Sequence, residues 1–220
     1  VLSDENIQAL LPVPYPQPLL KVQPESLELS LESHAPIEKA VVTRRLVPPG
    51  LHVRVRERVP VAVVIPDTTK PVKSIPSQPE PFKEPGLIDA QGNWMPSNSF
   101  QALGAVTNPP TLTIKGMREN YRSSWRTMYE SMQRSPVKIT AVDWTRPSEV
   151  ILYSELGQVH IGSYGSSFET QLAALDQMRS LNLEVSSKQI AFIDLQDPEH
   201  PIVETLQAEG APSNSDKPGL

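Results

Sequence analysis

The residues of this chain able to hold a metal or move a proton are its four histidines and 25 carboxylates, and their spacing brings few of them together. His34, His52, His160 and His200 are isolated, with neither an HxxxH nor an HxH pair to aim two imidazoles at one ion. Cysteine is absent, which removes disulfides, thiolate metal sites and thiol nucleophiles together. The run Gly162-Ser163-Tyr164-Gly165-Ser166-Ser167 fits neither GxGxxG nor GxxxxGK[ST]. It reads as a turn entering a helix cap, not as a phosphate cradle. No GxSxG presents a serine nucleophile. Asp143, Asp194 and Asp197 fall at predicted strand ends, where an acid–base pair would need a proximity that spacing does not supply. The expectation is a non-catalytic protein without cofactor-binding or metal-binding residues.

Charge excludes another class. Lys and Arg number 20 against 25 Asp and Glu, a formal charge of −5, and no block of like charge forms a nucleic-acid footprint. Aromatics make up 5% of the chain, too few for a base-stacking platform. One local exception is Arg54, Arg56 and Arg58, spaced to share one face of a strand. That face is a candidate contact for an acidic partner or anionic headgroups. A solvated face is favoured, because residues 1–70 carry 8 basic and 8 acidic side chains and Glu38 and Glu57 lie close by.

The elements that must carry these residues are legible from period and punctuation. Ser3 suits the N-cap of a short helix bearing Ile7, Leu10 and Leu11. Pro24 suits the first turn of a second, with Leu27 and Leu31 on one face. A hairpin follows, with strands at 40–45 and 51–59 and a type II turn over Val47-Pro48-Pro49-Gly50. In its return strand Leu51, Val53 and Val55 face a core, and His52, Arg54, Arg56 and Arg58 face away. Six prolines in 66–85 exclude that stretch from a central strand, so it is an extended linker or a long loop within a second sheet.

Beyond it, 86–95 reads as two short strands around an Asp/Gly turn. A helix at 120–132 shows Tyr121, Trp125, Met128 and Met132 as one stripe. Strands are expected at 137–143, 150–154 and 158–162, and Ser167 can cap a helix carrying Leu172, Leu175 and Met178. Two last strands fall at 189–195 and 201–205. The expected class is α+β, with two helices on a small sheet in 1–65, a Pro-rich linker or loop in 66–85, a mixed β domain with two helices in 86–205, and a disordered tail in 206–220. The longest apolar run, 59–65, is too short to span a bilayer at about 20 residues. The chain begins with Val1 and not Met, so it is expected to be a processed or truncated product.

The stretch 36–62, PIEKAVVTRRLVPPGLHVRVRERVPVA, resembles the end of a POTRA domain, and in particular the V-x-R-x-x-P-x-x-L-x-[IV]-x-V-x-E-R-x-P-V-A signature of the bacterial division protein family FtsQ (DivIB). GLIDAQG at 86–92, VILYSELGQVHIG at 150–162 and IAFIDL at 190–195 resemble that family's second, β domain in the right order. The wording is similar to that of cyanobacterial members. The resemblance implies a single-pass protein of the cytoplasmic membrane, anchored by a transmembrane helix upstream of this chain, with both domains in the periplasm at the division septum. It implies a scaffold that links division proteins and performs no catalysis. The last β-domain strand would be an edge receiving a strand from FtsB/FtsL-type partners. Carried over, that edge is 197–205, and its contact residues are Leu195, Gln196, Asp197, His200, Ile202, Val203 and Glu204, with Arg54, Arg56 and Arg58 of the POTRA hairpin as a second contact. Pro198 and Pro201 fall within this edge, where proline ordinarily blocks pairing. The rival readings are a POTRA protein of outer-membrane assembly or secretion, a cell-wall enzyme with an unrecognised site, and a peptidoglycan-binding module.

Overall fold

The computed structural model describes residues 2–11, 18–66, 82–102, 109–181 and 190–205. The chain is α+β and closes two hydrophobic cores. The first begins with α1 (Asp4–Leu10), whose first turn is capped by the Ser3 hydroxyl accepting from the Asn6 amide at 3.2 Å. The second helix, α2 (Pro24–Glu32), opens with proline, which lacks a donor that the first turn would leave unpaired. It turns Leu27 and Leu31 onto a two-stranded hairpin of β1 (Ile37–Leu46) and β2 (Pro49–Glu57). Ile37, Ala40 and Val42 from β1 meet Leu51, Val53 and Val55 from β2 across this core, with Leu2 and Val22 closing its sides.

The hairpin turn differs from expectation. Leu46 faces Pro49, so the reversal is made by Val47 and Pro48, joined by a cis peptide bond. Gly50 lies within β2 opposite Arg45, and Pro49, the third residue of the expected turn, begins β2 without the positive φ that a type II turn demands there. The open edge of β1 is closed by side chains of α2. Glu28 and Glu32 accept from the amides of Val42 and Ala40 at 2.8 and 3.1 Å, so these edge donors are not offered outward.

The second core lies on a mixed nine-stranded sheet of order β11-β10-β9-β8-β7-β6-β3-β4-β5. Its strands in chain order are β3 (Pro60–Ile65), β4 (Gly86–Asp89), β5 (Trp94–Pro96), β6 (Leu112–Lys115), β7 (Ile139–Arg146), β8 (Glu149–Ser154), β9 (Gly157–Gly162), β10 (Ile190–Asp194) and β11 (Ile202–Thr205). A short helix, α3 (Ser97–Ala102), follows β5. Two longer helices make the parallel connections: α4 (Arg122–Arg134) joins β6 to β7, and α5 (Phe168–Leu181) joins β9 to β10. Trp125, Met128 and Met132 of α4 and Leu172 and Leu175 of α5 are buried in the shared core, the stripes that helical spacing predicts.

The strand 60–65, which the sequence grouped with the N-terminal part, sits inside this larger sheet. It runs parallel to β6 and antiparallel to β4, and Ala62 and Val64 are buried in the larger core. We therefore place the boundary between the cores at Arg58–Val59, before β3. The segment 66–85 accordingly connects two adjacent strands of one sheet, β3 and β4. Its residues 67–81, like the tail 206–220, lie outside the described residues.

The two cores meet at Arg58. Its amide donates to Pro36 O, and its guanidinium reaches Ala35 O at 3.1 Å and Asp89 Oδ2 at 2.8 Å. Asp89 also accepts from the amides of Gln91 and Asn93 through Oδ1 and from the Asn93 side chain through Oδ2. Beside this pair, Ala35 and Val63 pack on the buried Leu87 and Met95. A polar tie within an apolar seam thus fixes the small core on the large one.

Candidate partner-binding edge

The large sheet ends on one side at β5 and on the other at β11. The β5 end is three residues long, closes with Pro96 and leads directly into α3, and its Trp94 stacks on Phe82 at 4.8 Å. β11 is different. It pairs antiparallel with β10, with Asp194 opposite Ile202, Ile193 opposite Val203, and Phe192 opposite Glu204. Among the described residues no strand covers its other side. Opposed residues point to one face, so Val203 lies on the face of the buried Ile193 and Ile202 on the other. Both are open, at 42% and 62% exposure, and alternate amides and carbonyls of an edge strand point outward.

The strand is shorter than the expected edge 197–205, and this removes the proline difficulty. Pro198 and Pro201 precede Ile202 and lie outside the ladder. Residues 197–200 form a turn, in which His200 N donates to Asp197 O and Asp197 Oδ1 accepts from the Glu199 amide. Of the carried-over contact residues, Gln196, Asp197, His200, Ile202, Val203 and Glu204 are exposed at or beside the edge. Leu195 is not available: it is fully buried, because the chain must still cross the core there before turning out. Its amide donates to His160 O, and its carbonyl receives the Gln171 side chain at 2.8 Å. The same Gln171 amide group donates to Ile161 O at 2.9 Å, so one buried α5 side chain anchors the ends of β9 and β10 behind the edge. Sequence reading missed Gln171, because a single polar residue on an apolar helix carries no signal of what it will face.

The turn has a pH signature. The His200 ring nitrogen at 3.0 Å from Asp197 Oδ2, helped by the Glu199 amide, holds the Asp197 carboxyl below its ordinary value. A depressed folded value means that the contribution is complete above the unfolded carboxylate's value of about 4 and is lost as pH falls through the folded one. In an NMR titration the Glu199 amide is expected to shift together with Asp197 below about pH 4. Asp197→Asn should leave that amide without an acid transition.

The arginine face divides. Arg54 and Arg56 are exposed, with Arg56 paired to Glu38 at 3.0 Å. Arg58 departs from it: β2 ends at Glu57, and the next side chain turns inward to the junction just described. Glu57 Oε1 accepts the Leu2 amide.

Of the candidate chemical groups, His200 and Asp197 meet in the turn described above. His34 Nδ1 lies 3.0 Å from Ser30 O, His160 packs on the Phe192 ring, and Asp143 Oδ1 accepts from Thr145 N. Among the described residues no three His, Asp or Glu side chains gather as a metal site. The Gly162–Ser167 run turns the chain into α5, with Gly162 at φ 68° and the Ser167 carbonyl accepting from Gln171 N. A cleft of about 420 Å³ between α4 and α5 holds Glu169 and Asp176, each in an ion pair, with Arg134 and Arg179 respectively. No described helix is long and apolar enough to cross a membrane.

Two helices on a small sheet, followed by a mixed β domain, define an α+β protein with a POTRA domain at its N-terminus. Residues 1–58 match the family model described as the POTRA domain, FtsQ-type, which covers 58 of the 220 residues and ends at the junction arginine. No curated protein matches the chain.

Proposed function

We propose that this chain is a non-catalytic scaffold of the bacterial division machinery, which links other division proteins by adding their segments to its sheet edge. The FtsQ-type match over residues 1–58 carries this reading, and the uncovered edge of β11, with Ile202 and Val203 exposed, supports strand addition there. The proposed partners are FtsB/FtsL-type proteins. The proposed setting is the periplasmic side of the cytoplasmic membrane at the septum, with the anchor upstream of residue 1. An incoming strand would satisfy the outward amides and carbonyls of Ile202–Thr205 and cover Ile202 and Val203. Each backbone bond contributes only about 0.5–1.5 kcal/mol net, so four residues of ladder and two apolar contacts suit micromolar, reversible assembly. Gln196, Asp197, His200 and Glu204 would border that contact, and Arg54 and Arg56 would serve a second one.

Amide hydrogen exchange with and without the extracellular parts of FtsL/FtsB-type proteins tests the site. New protection is expected over 202–205 and its neighbour β10, and Ile202→Pro, which removes a donor from the ladder, is expected to abolish it. Binding with protection elsewhere would move the contact, and no binding at all would reject the scaffold reading.

A further inference from the structure

The tip of the POTRA hairpin is apolar and basic in a chain whose net charge is −5. Leu46 and Val47 are 67% and 85% exposed, and the Pro48 and Pro49 that follow hold them in a short, stiff turn. A second segment stands beside this end of the hairpin. Arg44 reaches from β1 to Val22 O with Nε at 3.1 Å and Nη2 at 2.6 Å, which fastens the chain around residue 22 next to the tip. Leu20, 78% exposed, and Lys21 belong to the turn just before it. Residues 18–23 and 43–52 together carry Lys21, Arg44 and Arg45 and no carboxylate.

We propose that this tip docks on an anionic lipid surface, with Leu20, Leu46 and Val47 entering the headgroup boundary and Lys21, Arg44 and Arg45 meeting the phosphates around them. Leu46 and Val47 project at the reversal of a two-stranded ribbon, the end of the hairpin. A protein would need a pocket shaped to receive it, whereas a bilayer accepts an apolar protrusion of any outline. Long Lys and Arg stems lie along apolar surface while their charges stay at headgroup level, so cations flanking the apolar residues suit this depth. The absence of carboxylates from the two segments leaves nothing there to repel phosphate. This docking is independent of β11, which lies at the far edge of the other sheet.

Co-sedimentation of the chain with vesicles tests the proposal, comparing phosphatidylglycerol and phosphatidylcholine in equal parts with phosphatidylcholine alone. Binding is expected only with the anionic lipid, and it should weaken as salt is raised. Lys21→Gln and Arg45→Gln should each weaken it by about fivefold. Val47→Asp should abolish it, while Val47→Trp should strengthen it and shift the tryptophan emission to the blue on vesicle addition. All of these positions are exposed, so circular dichroism should show an unchanged fold. Failure to bind anionic vesicles would overturn the proposal, as would binding unaffected by Val47→Asp. Capture of the tip by a polyglutamate column without vesicle binding would overturn it in favour of an acidic protein.

Discussion

Replacing Arg58 by alanine is expected to destabilise the chain by about 3–5 kcal/mol, the usual cost of removing one partner from a buried ion pair. The Arg58 and Asp89 side chains are only 18% and 7% exposed, so solvent cannot take over the lost contact. Four hydrogen bonds reach the Asp89 carboxylate, two from backbone amides on Oδ1 and two from side chains on Oδ2. All four donors face an acceptor, so Asp89→Asn should be nearly as damaging as Asp89→Ala despite its matching shape. Its amide nitrogen must face either two backbone N–H groups or a guanidinium. At about 2–4 °C per kcal/mol for a chain of this size, Arg58→Ala should lower Tm by roughly 6–20 °C. Arg58 also joins the cores, so calorimetry of Arg58→Ala should separate melting of the small core from that of the large one. The double variant Arg58→Ala, Asp89→Ala should cost much less than the sum of the two single changes, because neither leaves an unpaired charge behind. A single transition and additive effects would mean that the seam of Ala35, Val63, Leu87 and Met95 suffices without the ion pair.

Trp125→Ala is expected to be of similar size, about 3–5 kcal/mol from the cavity alone. The indole is fully buried at the centre of the α4 stripe and stacks on Tyr129 at 5.6 Å. It also has a polar role that the stripe does not reveal, since Nε1 donates to Asp89 O at 2.9 Å. Trp125→Phe separates the two roles. It keeps most of the apolar volume and deprives a buried carbonyl of its indole donor, at an expected cost of about 1–3 kcal/mol. Chemical denaturation of the three proteins should rank them wild type, Phe, Ala. If Phe equals wild type, the Gly92 amide, which also donates to Asp89 O, satisfies that carbonyl alone. The two predictions converge on one residue, with Arg58 holding the side chain of Asp89 and Trp125 its backbone.

Local pattern was enough for the elements whose partners lie close in sequence. The alternation of Leu51, Val53 and Val55, the Leu27/Leu31 spacing and the Ser3 cap each state a period or a donor that the neighbouring residues must answer, and the structure answers them. The same holds for the α4 stripe and for the antiparallel pair β8–β9, closed by Gly157 at φ 112°. The string 36–62 extended this to the POTRA domain, because it can be compared with a family signature without knowing what its residues touch.

What the sequence left open is what depends on distant partners. β6 is four residues between Pro110 and Gly116, too short to announce itself, yet it lies inside the large sheet, next to its middle strand. It is a strand because β3 and β7 flank it in parallel, and parallel neighbours are necessarily remote in the chain. The same remoteness moved β3 out of the small core and turned Arg58 from a solvated face to a buried tie. It also decided the candidate edge. The residues 195–205 name a turn and a strand, but whether Leu195 is surface or core depends on Gln171, 24 residues earlier. An amino-acid sequence determines which faces of its elements are apolar. Which edges remain unpaired is settled only when every strand has taken its neighbours.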